Sequence, residues 1–182
     1  MTPREFDPLR LDVAAFAKEA AALSGQWPLA GFERVADSAA AGAPVTAADE
    51  VAWSARGEQR PVRGGEAQTW LYVEAATRVS LECQRCLKPV AVPLQIERKF
   101  LFVHGEDAAA QLDTDSDDDV LALTRALDLH ELVEDELLLT MPIVPRHDVC
   151  PEPLPLADEA DELEDKPNPF AALAALKRPK LN

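Results

Sequence analysis

The chain has 182 residues, a hydrophobic content of 47% and a formal net charge of −15 at pH 7, which suits one domain with attached tails. No stretch reaches the roughly 18 uninterrupted apolar residues of a membrane span, and the acidic N-terminus lacks the basic start and apolar centre of a signal peptide. We therefore expect a cytoplasmic protein with no membrane partner. Its three cysteines are expected to be reduced thiols.

The start of the chain, residues 1–46, is predicted to be helical. An alanine-rich run at residues 9–23 is predicted to form one helix, with Asp12 or Asp7 at its N-cap. A second, shorter helix is predicted at residues 29–35, before a loop.

The middle of the chain, residues 47–123, is predicted to form a sheet. Apolar and polar side chains alternate over residues 69–81 and again over residues 90–102, which is the period of half-buried strands. Residues 83–89 would then form the turn that joins two antiparallel strands. We predict an α+β fold with a central antiparallel sheet, either open or curled into a partial barrel.

The next segment is acidic. Residues 105–119 are predicted to be a loop, and residues 120–123 one more short strand. Asp128 and Glu131 have the spacing of a capping box, which marks the start of a helix. We therefore predict a late acidic helix over residues 128–141.

The composition changes again near residue 150. We assign residues 1–150 to a single α+β domain and residues 151–182 to an acidic, proline-rich linker with a short basic tail. Such a linker carries too little apolar surface to form a core, so it is predicted to be disordered.

The cysteines occur in two places. Cys83 and Cys86 stand three positions apart, and His147 stands three positions before Cys150. Cysteine and histidine at such spacings bind zinc tetrahedrally, so the four residues are a candidate zinc site. The alternative is a buried turn with an unrelated His147 and Cys150, and the spacing alone leaves both open. A thioredoxin-like role is disfavoured because no helix of a βαβ unit follows the pair.

The charge distribution restricts where RNA could bind. Residues 56–103 carry eight basic and five acidic side chains, whereas residues 104–165 carry two basic and twenty acidic ones. Because phosphates attract basic surfaces, RNA contact is predicted in the middle of the chain or in its basic tail. The candidate contacts are Arg78, Arg85, Lys88, Arg98, Lys99, Lys177, Arg178 and Lys180. The acidic segment, residues 105–165, suits a basic protein partner.

Aromatic residues lie beside these cations. Strands that carry arginine and lysine next to Trp70, Tyr72, Phe100 and Phe102 have the composition of an RNA-binding sheet. The alternative, which composition alone favours, is that the aromatics belong to the core and the cations to an ordinary solvent face. The carboxylates of residues 131–136 are accompanied by no nucleophile or phosphate-binding loop, so no enzymatic activity is expected.

Three separated strings in the chain resemble a known family. They are LECQRC at residues 81–86, VEDELLLTMPIVPRHD at residues 133–148 and KPNPFAALAALKR at residues 166–178. Together and in this order they resemble the YceD family, the bacterial large ribosomal RNA subunit accumulation proteins.

The resemblance implies a process rather than a mechanism. It implies a ribosome-biogenesis factor in the synthesis, processing or stability of large-subunit (23S) ribosomal RNA, with a ribosomal RNA precursor or an assembly intermediate as its partner. Two other classes stay open. One is an adaptor or chaperone for a basic ribosomal protein, and the other is a metal-dependent RNA-processing enzyme.

Overall fold

The computed structural model describes residues 5–151. A five-stranded sheet and four α-helices form the fold. The elements in chain order are α1 (Val13–Lys18), β1 (Ala22–Pro28), α2 (Glu33–Asp37), β2 (Glu50–Arg60), β3 (Gln68–Glu82), β4 (Pro89–Val103), α3 (Glu106–Asp115), β5 (Asp119–Ala122) and α4 (Leu129–Thr140). The predicted linker and basic tail lie outside the described residues from residue 152 onwards.

The strands lie in the sheet in chain order, β1-β2-β3-β4-β5. Neighbours from β1 to β4 are antiparallel, which confirms the predicted central antiparallel sheet. The short strand β5 is parallel to β4, because the intervening α3 carries the chain back along the sheet. The sheet is therefore mixed and open, with β1 and β5 at its edges, and it does not close into a barrel.

The long hairpin of β3 and β4 dominates the sheet. Its two strands pair without interruption from Thr69 opposite Phe102 to Glu82 opposite Pro89. Alternate side chains of β3, such as Leu71 and Val73, are fully buried, as the period-two pattern predicts. The hairpin leaves residues 83–88 as its turn, and this turn carries the first two cysteines.

One face of the sheet, here called the inner face, carries the main core. Its buried side chains pack against apolar residues of the short helices α1 and α2 and of α4. The strand residues in this core include Val51, Trp53, Ala55, Leu71, Val73, Ala75, Leu94, Ile96, Phe100 and Phe102, and the helical ones include Val13, Phe16, Val35, Leu129, Val133 and Leu137. On the opposite, outer face, Ala109 of α3 covers Trp70, Leu101 and Val120.

The predicted helical start is only partly correct. Asp12 caps α1 by accepting a hydrogen bond from the Ala15 N–H at 3.1 Å, but α1 ends at Lys18. Ala20 then takes a positive φ of 48°, which a helix does not tolerate, and the chain enters β1 instead. Residues 22–28 form a strand because β2 supplies their ladder partners, a long-range pairing that local sequence does not encode.

Two predictions for the acidic segment had different outcomes. The predicted loop at residues 105–119 contains the helix α3, which Ala109 anchors on the outer face. The late helix is confirmed as α4, and Asp128 caps it by accepting hydrogen bonds from the N–H groups of His130 and Glu131. No helix within residues 5–151 has the length and apolarity needed to cross a bilayer.

An ion pair ties α2 to α4. The guanidinium of Arg34 donates from Nε and Nη2 to Oε2 of Glu134 at 3.0 and 2.8 Å, and its backbone N–H donates to Oε1 at 2.8 Å. Burial opposes the charge of Glu134, but these hydrogen bonds outweigh it and lower the pKa of the carboxyl. The pair therefore stabilises the ionised form of Glu134 in the folded protein.

The replacement Glu134→Gln should make stability less dependent on pH. Because the folded-state pKa is lowered, the stabilisation is complete above the ordinary glutamate pKa of about 4.3 and is lost as the pH falls through the folded-state value. We expect the variant to lose about 1–2 kcal/mol at pH 7, since Arg34 is half exposed and screened. Urea denaturation of the variant and the wild type at pH 7 and at about pH 3.5 measures this loss. A loss of equal size at both pH values contradicts the prediction.

Candidate metal centre

The cysteine-bearing turn and the segment after α4 meet. Residues 142–150, here called the arm, run past the turn of the β3–β4 hairpin. The Gln84 N–H donates to the Pro145 carbonyl at 2.9 Å, which joins the arm to the turn. Within the turn, the Cys83 N–H donates to Lys88 at 3.0 Å and the Leu87 N–H donates back to Cys83 at 2.8 Å. These two bonds close the turn that carries both cysteines.

All four residues that the sequence singles out converge. The Sγ atoms of Cys83, Cys86 and Cys150 and a ring nitrogen of His147 lie within 4.8 Å of one another. The Sγ atoms of Cys83 and Cys150 are 3.9 Å apart, and the Cys86 Sγ is 3.5 Å from Nδ1 of His147. The three thiols are free, since a disulfide would bring two sulfurs to about 2.0 Å.

These separations have the size of the edges of a zinc tetrahedron. With Zn–S distances of about 2.3 Å and Zn–N distances of about 2.0–2.1 Å, tetrahedral angles place two sulfurs about 3.8 Å apart and a sulfur and a nitrogen about 3.6 Å apart. The observed 3.9 and 3.5 Å match both edges. Three sulfurs and one imidazole nitrogen in this arrangement are typical ligands of a structural zinc ion.

The orientation of His147 suits a metal ligand. Its Nε2 lies 3.0 Å from the carbonyl oxygen of Pro89, and a carbonyl can only accept a hydrogen bond. Nε2 therefore donates to this carbonyl, and Nδ1 is the ring nitrogen that faces the sulfur of Cys86. A backbone carbonyl behind the second ring nitrogen is the usual support of a metal-ligating histidine.

Local electrostatics favours a thiolate at Cys83. Burial works against its charge, but backbone N–H groups from His147 and Arg85 outweigh this and lower the pKa of the Cys83 thiol to about 5. Burial raises the pKa of Cys86. A thiolate is the form of cysteine that binds a metal, so the Cys83 sulfur is already suited to bind a cation, whereas a cation would have to deprotonate Cys86.

Arg85 lies at the edge of the cluster. Its Nε donates to Sγ of Cys150 at 3.0 Å, and its Nη2 donates to the carbonyls of His147 and Asp148 at 3.0 and 3.3 Å. The hydrogen bond to Cys150 is the main reason that the pKa of Arg85 is raised. This arginine, predicted from the sequence to contact RNA, is thus hydrogen-bonded to Cys150 and to the backbone of the arm.

The other predicted RNA contacts are spread over the fold. Arg98 donates from Nε to Oε2 of Glu136 on α4 at 2.8 Å, so its guanidinium is tied to the helix layer. Lys99 forms an ion pair with Asp118 at 2.5 Å, while Arg78 and Lys88 are exposed. The remaining predicted contacts, Lys177, Arg178 and Lys180, lie outside the described residues.

The outer face carries a cluster of cations and aromatic rings that extends this prediction. The Arg56 guanidinium lies 4.1 Å from the centre of the Tyr72 ring, and that of Arg60 lies 4.9 Å from the centre of the Trp70 ring. Lys99 approaches Trp70 to 5.5 Å. Arg56 and Arg60 are absent from the predicted contacts, although they stand four positions apart on β2 and every second residue of a strand lies on the same face. That spacing is the signal that could have found them.

Comparison with known proteins identifies the family of this chain. The family model for the large ribosomal RNA subunit accumulation protein YceD matches residues 71–177, a stretch that contains most of β3, the cysteine turn and the arm. The chain belongs to the YceD family. A protein of this name from Haemophilus influenzae is 37% identical over 105 residues, which cover 55% of this chain and 60% of the relative. The chain thus spans about 60% of the length of this relative, and no solved structure matches it.

Proposed function

We propose that this protein is a cytoplasmic factor for the accumulation of large-subunit ribosomal RNA and has no catalytic activity of its own. The match of residues 71–177 to the YceD family carries this proposal. The name of the Haemophilus influenzae relative refers to the same process. Its partner is then a precursor of the 23S ribosomal RNA or an assembly intermediate of the large subunit.

We further propose that Cys83, Cys86, His147 and Cys150 hold one zinc ion with a structural role. The 3.9 Å separation of the Cys83 and Cys150 sulfurs and the 3.5 Å separation of the Cys86 sulfur from Nδ1 of His147 support this, as does the burial of all three sulfurs. Four protein ligands would fill the coordination sphere, whereas a catalytic zinc keeps one position open for water or substrate. The metal would therefore clasp the arm to the hairpin, and the site offers no support for a metal-dependent RNA-processing enzyme.

RNA contact is proposed on the exposed cations rather than at the metal centre. Arg78 is exposed on β3, and Lys99 forms its ion pair with the partly exposed Asp118. A surface pair of this kind is worth little, so a phosphate can replace Asp118 at small cost. Lys88 and the tail cations Lys177, Arg178 and Lys180 complete the proposed contact set.

Depletion of this protein tests the proposed process. In cells without it, we expect mature large-subunit ribosomal RNA to fall relative to small-subunit RNA, and the wild-type gene should restore the ratio. The double variant Arg78→Glu, Lys99→Glu should restore it incompletely if these cations contact RNA. An unchanged ratio on depletion contradicts the proposed function.

A binding assay with purified protein distinguishes direct RNA contact from the adaptor class. We expect the purified protein to bind large-subunit precursor RNA, with an affinity that falls as salt rises because phosphate contacts release counterions. The double variant should bind more weakly and with a shallower salt dependence. The opposite outcome is that our protein binds no RNA and retains only a basic ribosomal protein after nuclease treatment. It would then belong to the adaptor class.

A further inference from the structure

We infer that Arg85 is a positioning residue of the proposed metal centre. Its positive charge makes this centre an electroneutral site for one divalent, thiophilic cation. This inference rests on the proposed zinc site. It concerns how this chain holds the cation, through a residue that sequence analysis placed on an RNA surface. It is argued from the charge of the proposed ligand set and from two observed sets of contacts of Arg85, one with a ligand atom and one with the arm.

The charge of the ligand set requires a further cation. Three thiolates and one neutral imidazole around a divalent ion leave a net charge of −1, because each cysteine binds as its thiolate. Cys83, Cys86 and Cys150 are all buried, and an uncompensated buried charge is costly. One permanently charged guanidinium at the site makes the assembly neutral.

Arg85 stands where that charge is needed. Its Nε lies 3.0 Å from the Sγ of Cys150, so it both donates a hydrogen bond to a ligand sulfur and places its positive charge beside it. Hydrogen-bond donors to ligand atoms orient those atoms and tune the metal. The same charge selects for a divalent ion, since a monovalent ion would leave the assembly at −1.

The second half of the guanidinium holds the arm. Nη2 donates to the carbonyls of His147 and Asp148, one a ligand residue and the other its neighbour. The planar guanidinium can bridge sulfur and backbone at once because its donors point in fixed directions. A lysine keeps the charge but presents a single ammonium, so it cannot reproduce both sets of contacts.

The test is the affinity of the purified full-length chain for Zn²⁺, measured by competition with a chelator. We expect Arg85→Gln to weaken it about 10–100-fold, the usual effect of losing a residue that supports a metal ligand, and Arg85→Lys to weaken it less. Arg146→Gln is the matched control, because it removes the same charge beside His147 from an exposed side chain. We expect this control to bind like the wild type.

Cobalt provides a readout that a merely structural role would not change. With Co²⁺ in place of zinc, loss of the N–H···S hydrogen bond should move the sulfur-to-metal charge-transfer band to longer wavelength in Arg85→Gln. Wild-type affinity and an unshifted band in this variant overturn the role of Arg85 and leave the zinc site standing. No binding of either metal by the wild type overturns the zinc site itself. If Arg85→Gln fails to fold without metal, as circular dichroism would show, Arg85→Lys decides by the same two measurements.

Discussion

The replacement Cys86→Ser should abolish tight zinc binding and uncouple thermal stability from zinc. A ligand that binds only the folded state stabilises it by about 4 kcal/mol when its concentration is a thousand times its Kd. We therefore expect the melting temperature of the wild type to rise by roughly 8–16 °C with saturating zinc. The variant should melt at one temperature with and without the metal, which scanning calorimetry with and without a chelator measures.

A second readout of Cys86→Ser locates the effect within the fold. The amide of Gln84 is hydrogen-bonded to the arm, so its hydrogen exchange reports whether the arm is held. We expect this amide to exchange faster in the variant, while the β3–β4 ladder keeps its protection. Gln84→Ser is the control, because it changes the side chain between the two cysteines and leaves all four ligands in place. Equal zinc dependence in Cys86→Ser and the wild type contradicts the clasp.

The structure also changes how a loss of function at the turn is to be understood. Charge reversal at Arg85 is expected to impair accumulation of ribosomal RNA whether or not this residue contacts RNA, because the same guanidinium supports the Cys150 sulfur. Zinc content separates the two causes. A defect with full zinc content indicates an RNA contact, and a defect with lost zinc indicates failure of the clasp.

The hairpin and the late helix could be predicted from sequence because their signals are local. Alternation along β3 and β4 places every second side chain on one face, and the turn between them is short enough to be recognised. Asp128 marks the start of α4 through hydrogen bonds to residues two and three positions ahead. In both cases the residues that determine the element lie within it or beside it.

The elements that were missed depend on distant partners. β1 has a glycine and a proline and no clear alternation, and its strand conformation comes from its pairing with β2. The helix α3 lies in an acidic run that is typical of a loop, and it depends on Ala109 packing against Trp70. Tertiary contacts override local propensity at both places.

The candidate metal centre likewise combines a feature that is local in the sequence with one that depends on distant partners. Cysteine and histidine spacing provides the types and the number of ligands. It provides no information on whether Cys150 reaches Cys83, which lies 67 positions away. That approach depends on where α4 ends and on the backbone bond between Gln84 and Pro145. The contact of Arg85 with Cys150 could not be predicted for a similar reason, since a side chain's charge does not identify its partner.

The replacement Gly57→Ala should destabilise the fold more than other small changes on the sheet. Gly57 lies on the inner face of β2, where α1 passes so closely that an added Cβ would stand 2.7 Å from N and Cα of Ala17 and 2.8 Å from the carbonyl carbon of Phe16. These are backbone atoms, so no rotamer change relieves the clash, and α1 must move away from the sheet. We expect a loss of about 3 kcal/mol, the upper end of typical overpacking, or roughly 6–12 °C in melting temperature.

A matched glycine in the same part of the chain controls for backbone entropy. At Gly65, between β2 and β3, the nearest atom to an added Cβ is a Val62 side-chain carbon at 3.7 Å, so Gly65→Ala should be nearly neutral or slightly stabilising. The comparison isolates the contact with α1, because both variants add one methyl group and restrict the unfolded chain alike. Equal melting temperatures for the two variants would contradict the close packing of α1 against Gly57. A large loss for Gly57→Ala alone would establish that this helix, which forms one wall of the main core, depends on the absence of a side chain there.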